Sequence, residues 1–425
     1  MRSLPYSMIL FLVFMSLVQL EPQWTYSTED FIDRVKISPD SSYIAAIGTS
    51  NGERVYVFDT NGNLLWIRED AFSISFSKNN YAVVGGNGIS LLTGNGDLLW
   101  EYDNTSRINK VFISQYGERV IGVGEKEVYV LDRNRKLVAH LKFDELIKVS
   151  TSSCARYIAV GTENGTLYFF EDERLVWTRQ VGGKIYSLSI SVDGNYIIIG
   201  IMSKLYAFGS NGKLLWSYPV DGSVLDVEVS ENGYTAVESV EMGEILGSPT
   251  VGTTHVYFLD ENGNLLWSEI LSPTSYYSFS SAISDASGVL YYFDVSMSQD
   301  GKFISTVVGN KVYLFDNGGR TLWESEVGEW SGAEISRDGK LVVIGSQNGK
   351  IELLFNKYAE APKETKIVTK TVTEVLNKTE TNTTTVTKTK IGINSICGSG
   401  FIILVSLGGK FLIKRKENNT RGHSR

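Results

Sequence analysis

Residues 189–216 read SISVDGNYIIIGIMSKLYAFGSNGKLLW and contain the pattern that decides the fold. A short strand ends at Ser191, an Asp-Gly turn follows, and an Ile-rich strand ends at Gly200. The next segment, KLYAFG, leads through an Asn-Gly turn into LLW. β-branched and aromatic residues alternate between these turn signals, and no stretch has a helical period. The unit therefore predicts four antiparallel strands.

The same unit returns along the whole 425-residue chain. Residues 36–48 (KISPDSSYIAAIG) and 334–345 (EISRDGKLVVIG) repeat its first half, and residues 54–66 (RVYVFDTNGNLLW), 255–267 (HVYFLDENGNLLW) and 311–323 (KVYLFDNGGRTLW) repeat its second half. The serine before the first turn occurs eight times, at Ser38, Ser77, Ser114, Ser153, Ser191, Ser230, Ser298 and Ser336. Four strands in a repeat of roughly forty residues are typical of propeller blades. The sequence predicts an all-β fold, an eight-bladed β-propeller of four-stranded blades.

The LLW strand occurs only seven times downstream, with Ala139 in the place of Trp in the third unit. The eighth copy lies at the front, because residues 22–38 align without a gap to residues 214–230 and place Trp24 on Trp216. We expect this N-terminal strand to complete the last blade beside the strand that ends at Phe355. A ring closed in this way leaves no open seam between first and last blades.

This repeat resembles the quinoprotein-like (PQQ-binding-like) β-propeller repeat, and its S-x-D-G turns are similar to those of WD40-like propellers. The resemblance covers residues 22–358 and implies the fold. It does not select a function, because the same repeat builds redox enzymes, assembly scaffolds and binding platforms. Family members that bind the quinone often stack a vicinal disulfide on it and coordinate calcium. Here Cys154 and Cys397 are far apart, so we expect no cofactor.

The two ends of the chain indicate a membrane. Residues 8–20 (MILFLVFMSLVQL) have the length of a signal-peptide core, and an uncleaved anchor is the alternative. Residues 391–409 carry no charge, and the basic residues Lys414, Arg415 and Lys416 follow. The positive-inside rule places such a basic tail in the cytoplasm and the body outside. A buried or peripheral helix is the alternative for this segment. We predict a signal peptide at 1–21, the propeller at 22–358, a Thr-rich stalk at 359–390, one transmembrane helix at 391–413 and a cytoplasmic tail at 414–425.

The charge is distributed unevenly along the chain. The net charge is −8, yet the segment from Lys410 to Arg425 has six Lys or Arg against one Glu. Once the positive stalk and the N-terminal Arg2 are also set aside, residues 21–358 carry −16. Such an acidic body repels phosphate backbones, so nucleic acid is not expected as a partner.

Two turns have the opening of a calcium-binding loop. Residues 59–63 (DTNGN) and 260–264 (DENGN) place oxygen-bearing side chains at alternate positions. Both lack the closing Glu of an EF-hand and lie where a hairpin needs Asn-Gly, so we interpret them as structural turns. The repeated tryptophans are interpreted as packing between blades, and His140 and His255 as structural or surface residues. The sequence therefore predicts neither catalytic nor metal-binding residues, and no enzyme.

Candidate N-glycosylation sites in the exported part are Asn104, Asn164, Asn377 and Asn382. A fifth sequon at Asn418 lies in the predicted cytoplasmic tail and should stay unmodified.

The sixth repeat is longer than the others by two inserts. The first lies between its second and third strands, Glu238 to Thr254, and the second follows its fourth strand, Leu271 to Leu290. Both loops should emerge on one face of the ring, distal to the membrane. Long loops on a rigid scaffold often bind partners, although a tolerated insertion without a role is the alternative. The candidate partner-binding residues are Glu238, Glu241, Glu244, Tyr276, Tyr277 and Phe279.

These observations predict an extracytoplasmic, membrane-anchored propeller that binds protein or glycan without catalysis. Two alternatives stay open at this stage: a quinoprotein-type oxidoreductase and a structural component of envelope assembly.

Overall fold

The computed structural model describes residues 20–50, 52–245, 248–271, 294–327, 332–360, 404–407 and 410–413. The chain divides into two compact units, Met1–Ala361 and Pro362–Arg425. The first unit contains eight antiparallel sheets of four strands each. The prediction of an all-β, eight-bladed propeller is confirmed.

Each blade is an up-and-down sheet whose strands are lettered a to d from the axis outward. Strand β1 is Pro22–Ser27, and the blades that follow it are, for blade one, β2 (Ile32–Ile37), β3 (Tyr43–Gly48), β4 (Arg54–Asp59) and β5 (Leu64–Glu69); for blade two, β6 (Ala71–Phe76), β7 (Tyr81–Gly86), β8 (Ile89–Thr93) and β9 (Leu98–Tyr102); for blade three, β10 (Lys110–Ile113), β11 (Arg119–Val123), β12 (Glu127–Asp132) and β13 (Leu137–Lys142); for blade four, β14 (Ile147–Thr151), β15 (Tyr157–Thr162), β16 (Thr166–Glu171) and β17 (Arg174–Gln180).

The second half of the ring has the same order. Its strands are, for blade five, β18 (Ser187–Ile190), β19 (Tyr196–Ile201), β20 (Lys204–Gly209) and β21 (Leu214–Pro219); for blade six, β22 (Ser223–Val229), β23 (Thr235–Ile245), β24 (Ser248–Leu259) and β25 (Leu265–Leu271); for blade seven, β26 (Val295–Met297), β27 (Phe303–Val308), β28 (Lys311–Asp316) and β29 (Thr321–Glu326); for blade eight, β30 (Gly332–Ile335), β31 (Leu341–Gly345) and β32 (Lys350–Phe355). A 3-10 helix, η1 (Lys357–Glu360), follows.

Blade eight takes its outermost strand from the N-terminal side of the chain. Strand β1 pairs antiparallel with β32, and Trp24 lies opposite Leu353. The sheet order is β1-β32-β31-β30, so the predicted closure of the ring by the N-terminal strand is confirmed.

The turn serine holds the connection between strands a and b. In blade five, Ser191 Oγ accepts the backbone N–H of Tyr196 at 3.0 Å. In blade four the residue in this role is Ser152, whose Oγ accepts the N–H of Tyr157 at 3.1 Å. The sequence-based choice of Ser153 was therefore one residue too late, because two adjacent serines fit the pattern equally well. Ser153 Oγ donates instead to the carbonyl oxygen of Val192 at 3.2 Å.

A β-bulge precedes the tryptophan position of strand d. In blade one, Val57 pairs with Trp66 and Phe58 pairs with Leu64, so Leu65 is the extra residue. A bulge leaves one residue unpaired and turns the strand locally. Both leucines are consequently exposed while Trp66 is half-buried against blade two.

The two faces of the ring carry different connections. The a–b and c–d turns, including the turn serines, lie on one face, which we call the serine face. The b–c and d–a connections lie on the other, which we call the opposite face. Chain direction within an up-and-down sheet determines this division.

The second unit contributes a hairpin of β33 (Leu404–Leu407) and β34 (Lys410–Ile413). These eight residues fall within the predicted transmembrane helix 391–413, and the structure has strands there in place of a helix. Val405, Phe411 and Ile413 are residue types that favour strands. Within the described parts of the chain, no helix combines the length and apolar character needed to cross a membrane. The predicted basic tail lies outside the described residues, as does the predicted stalk apart from residues 359–360, which belong to η1.

Candidate functional site

The innermost strands surround a cavity of about 370 Å³ on the axis. Its lining includes Pro39, Val192 and Gln299, which follow strands a, so the cavity lies toward the serine face. The lining also includes charged residues two or four positions before a turn serine, namely Lys36, Lys110, Glu228, Asp294 and Glu334, and two charged residues directly after one, Glu231 and Arg337. These positions therefore supply the charges of the cavity.

Many of these side chains also join neighbouring blades. Ser150 Oγ accepts the backbone N–H of Ile190 in the next blade at 3.2 Å, and Ser189 Oγ accepts that of Val229 at 3.3 Å. Farther round, Glu228 accepts the N–H of Met297 at 3.0 Å. An innermost strand is an edge strand with unpaired N–H groups, and these bonds satisfy some of them.

The charges around the cavity are segregated by sign. Residues two or four positions before the turn serine are acidic in blades six to eight and basic in blades one, three and four; the acidic ones are Asp226, Glu228, Asp294 and Glu334, and the basic ones are Arg34, Lys36, Lys110 and Lys148. Serine occupies most of the other positions. The axis is thus bordered by two sets of charged residues. We call the four acidic residues the acidic wall and the four basic residues the basic wall.

One ion pair joins the two walls where they meet. Lys36 Nζ bonds to Glu334 Oε2 between blades one and eight, and Glu334 Oε1 accepts the N–H of Ile37 at 3.1 Å. Lys110 has no carboxylate within 4.0 Å among the described residues; its Nζ lies 5.0 Å from the ring centroid of Phe112.

Desolvation is the largest cause of the pKa shifts of three charged groups in the two walls. Desolvation and the neighbouring acidic groups raise the pKa of Glu228 to about 8. Desolvation likewise raises the pKa of Asp294 to about 7. On the other wall, desolvation and the nearby Lys36 lower the pKa of Lys110 to about 8. Glu228, Asp294 and Lys110 are thus held where their charged forms are disfavoured.

Blade six differs from the sequence-based expectation at its first insert. Residues 238–254 were expected to form a loop, but β23 and β24 continue through them and leave only residues 246–247 between the strands. The extra length therefore extends a hairpin, to which Val240, Val251 and Thr254 contribute strand-favouring residues. Beyond Val240 and Thr254, this hairpin lies past the last pairs of β22 and β25. We call residues 241–253 the arm.

The predicted partner-binding residues lie in different environments. Glu238 is fully buried and accepts a hydrogen bond from Thr306 Oγ1 at 2.9 Å, so it does not lie on a loop surface. Glu241 is exposed at the base of the arm, with Oε2 3.8 Å from His255 Nε2. Glu244 lies in the arm, with its backbone opposite Pro249. The remaining candidates, Tyr276, Tyr277 and Phe279, lie outside the described residues.

Glu238 belongs to a buried polar layer between blades six and seven. It lies directly opposite Asp226 across β22 and β23. Its Oε1 and the neighbouring Thr254 Oγ1 have no hydrogen-bond partner among the described residues. Desolvation raises the pKa of Glu238 well above its usual value. Sequence reasoning placed this residue at the surface because a Glu next to a long insert is normally solvated.

Two of the candidate glycosylation sites lie within the described residues. Asn104 and Asn164 are both exposed. The side-chain oxygen of Asn164 accepts hydrogen bonds from Thr162 Oγ1 and Thr166 Oγ1, both at 2.7 Å. Asn377 and Asn382 lie outside the described residues.

The calcium-like turns use their carboxylates internally. Asp59 Oδ1 accepts the N–H groups of Asn61 and Asn63 at 2.9 Å, and Asp260 Oδ1 accepts those of Asn262 and Asn264. These bonds are those of a hairpin turn in which the Asp side chain caps the loop. No group of three or more His, Cys, Asp or Glu in the described part of the chain is placed to hold a metal ion.

Comparison with known proteins supports the repeat and the fold. Residues 163–342 match the model of the PQQ_2 family described as outer membrane protein assembly factor BamB. The resemblance to the PQQ-like propeller repeat is therefore confirmed. None of the curated proteins matches the chain significantly.

Solved structures share the architecture at low sequence identity. BamB from Moraxella catarrhalis is 15% identical, with a TM-score of 0.56 over 80% of this chain and 100% of that one. Sqt1 from Chaetomium thermophilum, bound to the N-terminus of ribosomal protein L10, is 14% identical, with a TM-score of 0.61 over 80% and 100%. The computationally designed Ika8 protein is 16% identical, with a TM-score of 0.59 over 80% and 99%. At these identities the similarity concerns the fold alone.

Proposed function

We propose that this protein is a non-catalytic scaffold that binds a protein partner, and that the arm of blade six is its docking element. The observation that carries the proposal is the length of β23 and β24, which have 11 and 12 residues. Strands b and c of the other blades have five or six residues. The arm therefore projects from the opposite face.

The backbone of the arm suits recognition of a peptide. Met242 pairs with Val251, and Ile245 pairs with Ser248. Neither β22 nor β25 extends far enough to pair with these residues. Among the described residues, no strand pairs with the outer edge of β23 or of β24 in the arm. The edge of β23 is free in this sense over five residues, a reach of about 17 Å at 3.4 Å per residue. An extended peptide can add to such an edge as a further strand.

Glu241 supplies charge at the base of the arm. Its exposed carboxylate would steer a basic segment toward the edge, since complementary charge mainly raises association rates. Aromatic contacts from Tyr276, Tyr277 and Phe279 remain part of this proposal, because their insert follows β25 on the same face. A glycan ligand would use side chains and not strand edges, so the arm favours a protein.

The proposed location follows from the sequence at the two ends of the chain. The uncharged segments at residues 8–20 and 391–409, with the basic cluster after the second, support an exported propeller on a single-pass anchor. A stalk rich in Thr between body and anchor would hold the propeller in solvent. Added protease on intact cells should then remove the body and spare a short membrane fragment.

Envelope assembly is the second candidate function. It is favoured by the match of residues 163–342 to a family described as an outer membrane protein assembly factor. This role would also operate through protein binding. It would appear as a stable complex after gentle detergent extraction, whereas a receptor-like scaffold would capture its partner reversibly.

Site-specific photo-crosslinking in native membranes tests the docking element. A photoreactive residue at Glu241 should give a discrete crosslinked product with one protein. The matched control is Met202, which is exposed in the b–c turn of blade five on the same face. Replacing residues 242–251 by Asn-Gly should abolish capture with little change in melting temperature. Equal crosslinking at both positions, or capture retained without the arm, would remove the arm from consideration.

A further inference from the structure

The axial cavity has a second potential use that is independent of the arm. It lies toward the serine face, whereas the arm projects from the opposite face. At about 370 Å³ it falls in the lower part of the range for small-molecule sites and is too small for a folded partner. A ligand of this cavity would therefore be a small molecule or a few residues of chain.

Two cations face the acidic wall, Lys36 in its ion pair with Glu334 and Arg337 in the cavity lining. Neither forms an ion pair with Glu228 or Asp294 in the described part of the chain. Glu228 uses one carboxylate oxygen for the N–H of Met297, and Asp294 has no ion pair or hydrogen bond with any described residue. Glu238 behind them is fully buried, and its Oε1 has no hydrogen-bond partner among the described residues. Three carboxyl groups around one buried region repel one another unless a cation lies among them or protons are bound.

The basic wall is short of negative charge. Lys110 lines the cavity and is not paired with a carboxylate in the described ranges. Lys148 lies four residues before Ser152 in the next blade and is likewise unpaired there. The charges of Lys36 and Lys148 act on Lys110 in the same sense, since both disfavour its protonated form.

Hydroxyl groups lie between the walls. Ser150 and Ser189 each use the oxygen to accept a backbone N–H. A hydroxyl that accepts in this way keeps its own proton for a further hydrogen bond. These two serines line the cavity and can donate to carbonyl groups of a ligand that spans it.

We propose that the axial cavity binds a small zwitterion, a short peptide with free amino and carboxylate ends, with the ammonium group against Glu228 and Asp294 and the carboxylate against Lys110. A zwitterion supplies both missing charges at once without changing the net charge of the cavity. A simple cation or anion would leave one wall uncompensated. Charge-assisted hydrogen bonds are stronger than neutral ones.

The probe for this proposal is triglycine, titrated calorimetrically into the full-length chain at low ionic strength. N-acetyl-triglycine lacks the ammonium group, and triglycine amide lacks the carboxylate. Each capped peptide should bind at least roughly tenfold more weakly than triglycine, because each leaves charged groups of one wall without a partner. This comparison uses the wild-type chain and does not depend on the folding of any variant.

Two variants assign the ends of the ligand. Glu228→Gln should reduce the affinity for triglycine but leave that of N-acetyl-triglycine unchanged, and Lys110→Met should show the converse with triglycine amide. Glu269→Gln and Lys213→Met make the same charge changes at exposed sites and serve as controls. No heat with triglycine at millimolar concentration, or equal affinity for the capped peptides, would overturn the proposal. Crosslinking at Glu241 tests the arm separately, and its result does not depend on whether triglycine binds the cavity.

Discussion

The indole N–H of Trp24 donates to the backbone carbonyl oxygen of Thr60 at 3.1 Å, which links the outermost strand of blade eight to the c–d turn of blade one. The same bond joins neighbouring blades elsewhere, from Trp66 to Gly94 at 2.9 Å and from Trp177 to Ser210 at 2.8 Å. The junction that closes the ring therefore has the same chemistry as these internal junctions, whereas Trp267 Nε1 and Trp323 Nε1 have no hydrogen-bond partner among the described residues. This agrees with the interpretation of the repeated tryptophans as packing between blades.

Trp24→Asp should destabilise the whole ring. The substitution removes the bond to Thr60 and the ring contact with Phe58 at 5.5 Å, and it places a charge at the closure. Truncating a packed Trp costs about 3 kcal/mol or more. Chemical denaturation should show this loss, whereas Met202→Asp at an exposed turn should change stability little. A wild-type midpoint for Trp24→Asp would mean that β1 contributes nothing to closure.

Gly62→Ala should be more harmful than Gly182→Ala. Both glycines have positive φ, 87° and 80°, so each alanine pays roughly 1 kcal/mol for the left-handed conformation. A Cβ at Gly62 would also lie 2.7 Å from Cγ of Trp24, while one at Gly182 would meet nothing within 4 Å. The difference between the two unfolding free energies isolates the contact with the tryptophan. Equal losses would show that Trp24 can move away freely.

The fold was predictable because its signals are local and repeated. Turn serines, Asn-Gly turns and the LLW strand each recur in sequence, and the alignment of Trp24 with Trp216 identified the closing strand. The burial of Glu238 was not predictable in this way. An insert has no repeat to align with, so nothing in its sequence distinguishes a long loop from a longer hairpin.

The two charged walls could have been found from the sequence, but only after the ring was assumed. Lys36 and Glu334 are almost 300 residues apart in sequence and meet because blade eight closes on blade one. Reading the residue two positions before each turn serine gives the cavity lining of the whole ring. The shifted serine of blade four would have misplaced this position on Thr151 in place of Ser150.

Glu238→Gln should leave stability nearly unchanged at neutral pH. Burial keeps the pKa of Glu238 well above its usual value, so folding favours the protonated carboxyl, which resembles the amide in shape and charge. The amide oxygen can still accept the hydrogen bond of Thr306. Glu238→Ala should cost about 2 kcal/mol or more, since it leaves Thr306 unsatisfied and opens a cavity. A large loss with Gln would show that the charged form is required.

The charged walls should impose a characteristic pH dependence on stability. The pKa of Glu228 rises to about 8 on folding, and that of Asp294 to about 7. A carboxyl with a raised pKa binds its proton more tightly in the folded state. Its contribution to the free energy of unfolding is therefore fully present below the unfolded pKa and is lost as the pH rises to 8. The pKa of Lys110 falls to about 8. The contribution of Lys110 to the free energy of unfolding is fully present only above the unfolded pKa of lysine and is lost as the pH falls to 8.

These opposite slopes should place a minimum near pH 8 in the contribution of the cavity to stability. Denaturation midpoints measured from pH 5 to pH 10 test this. Glu228→Gln should flatten the decline between pH 5 and pH 8, and Lys110→Met should flatten the rise above pH 8. Glu269→Gln, at an exposed position of blade six, should leave both slopes intact. Parallel profiles of stability against pH for all variants would contradict the assignment of the two slopes to Glu228 and Lys110.

Leu20 should be needed for the stability of blade seven, although the sequence placed it in a signal peptide that ends at residue 21. It is buried in one cluster with Leu322 and Trp323. Leu322 is only 3% exposed, whereas the equivalent residues of blades one to six, such as Leu65 and Leu266, are 37% and 48% exposed. Residues on either side of the propeller explain why Leu322 is buried. Tyr358, which follows the last strand, packs against the same cluster as Leu20, and its Oη donates to the carbonyl oxygen of Leu322 at 3.3 Å.

If a leader is removed from this chain, we therefore expect the cut to precede Leu20, and N-terminal sequencing of the protein purified from membranes measures this directly. Leu20→Ser should lower the unfolding free energy by about 1.5–3 kcal/mol, the value of one buried leucine side chain. Leu215→Ser, at an exposed position of blade five, should have almost no effect. A mature chain that begins at Pro22 and melts like a chain that retains Leu20 would show that Tyr358 alone suffices to cover blade seven.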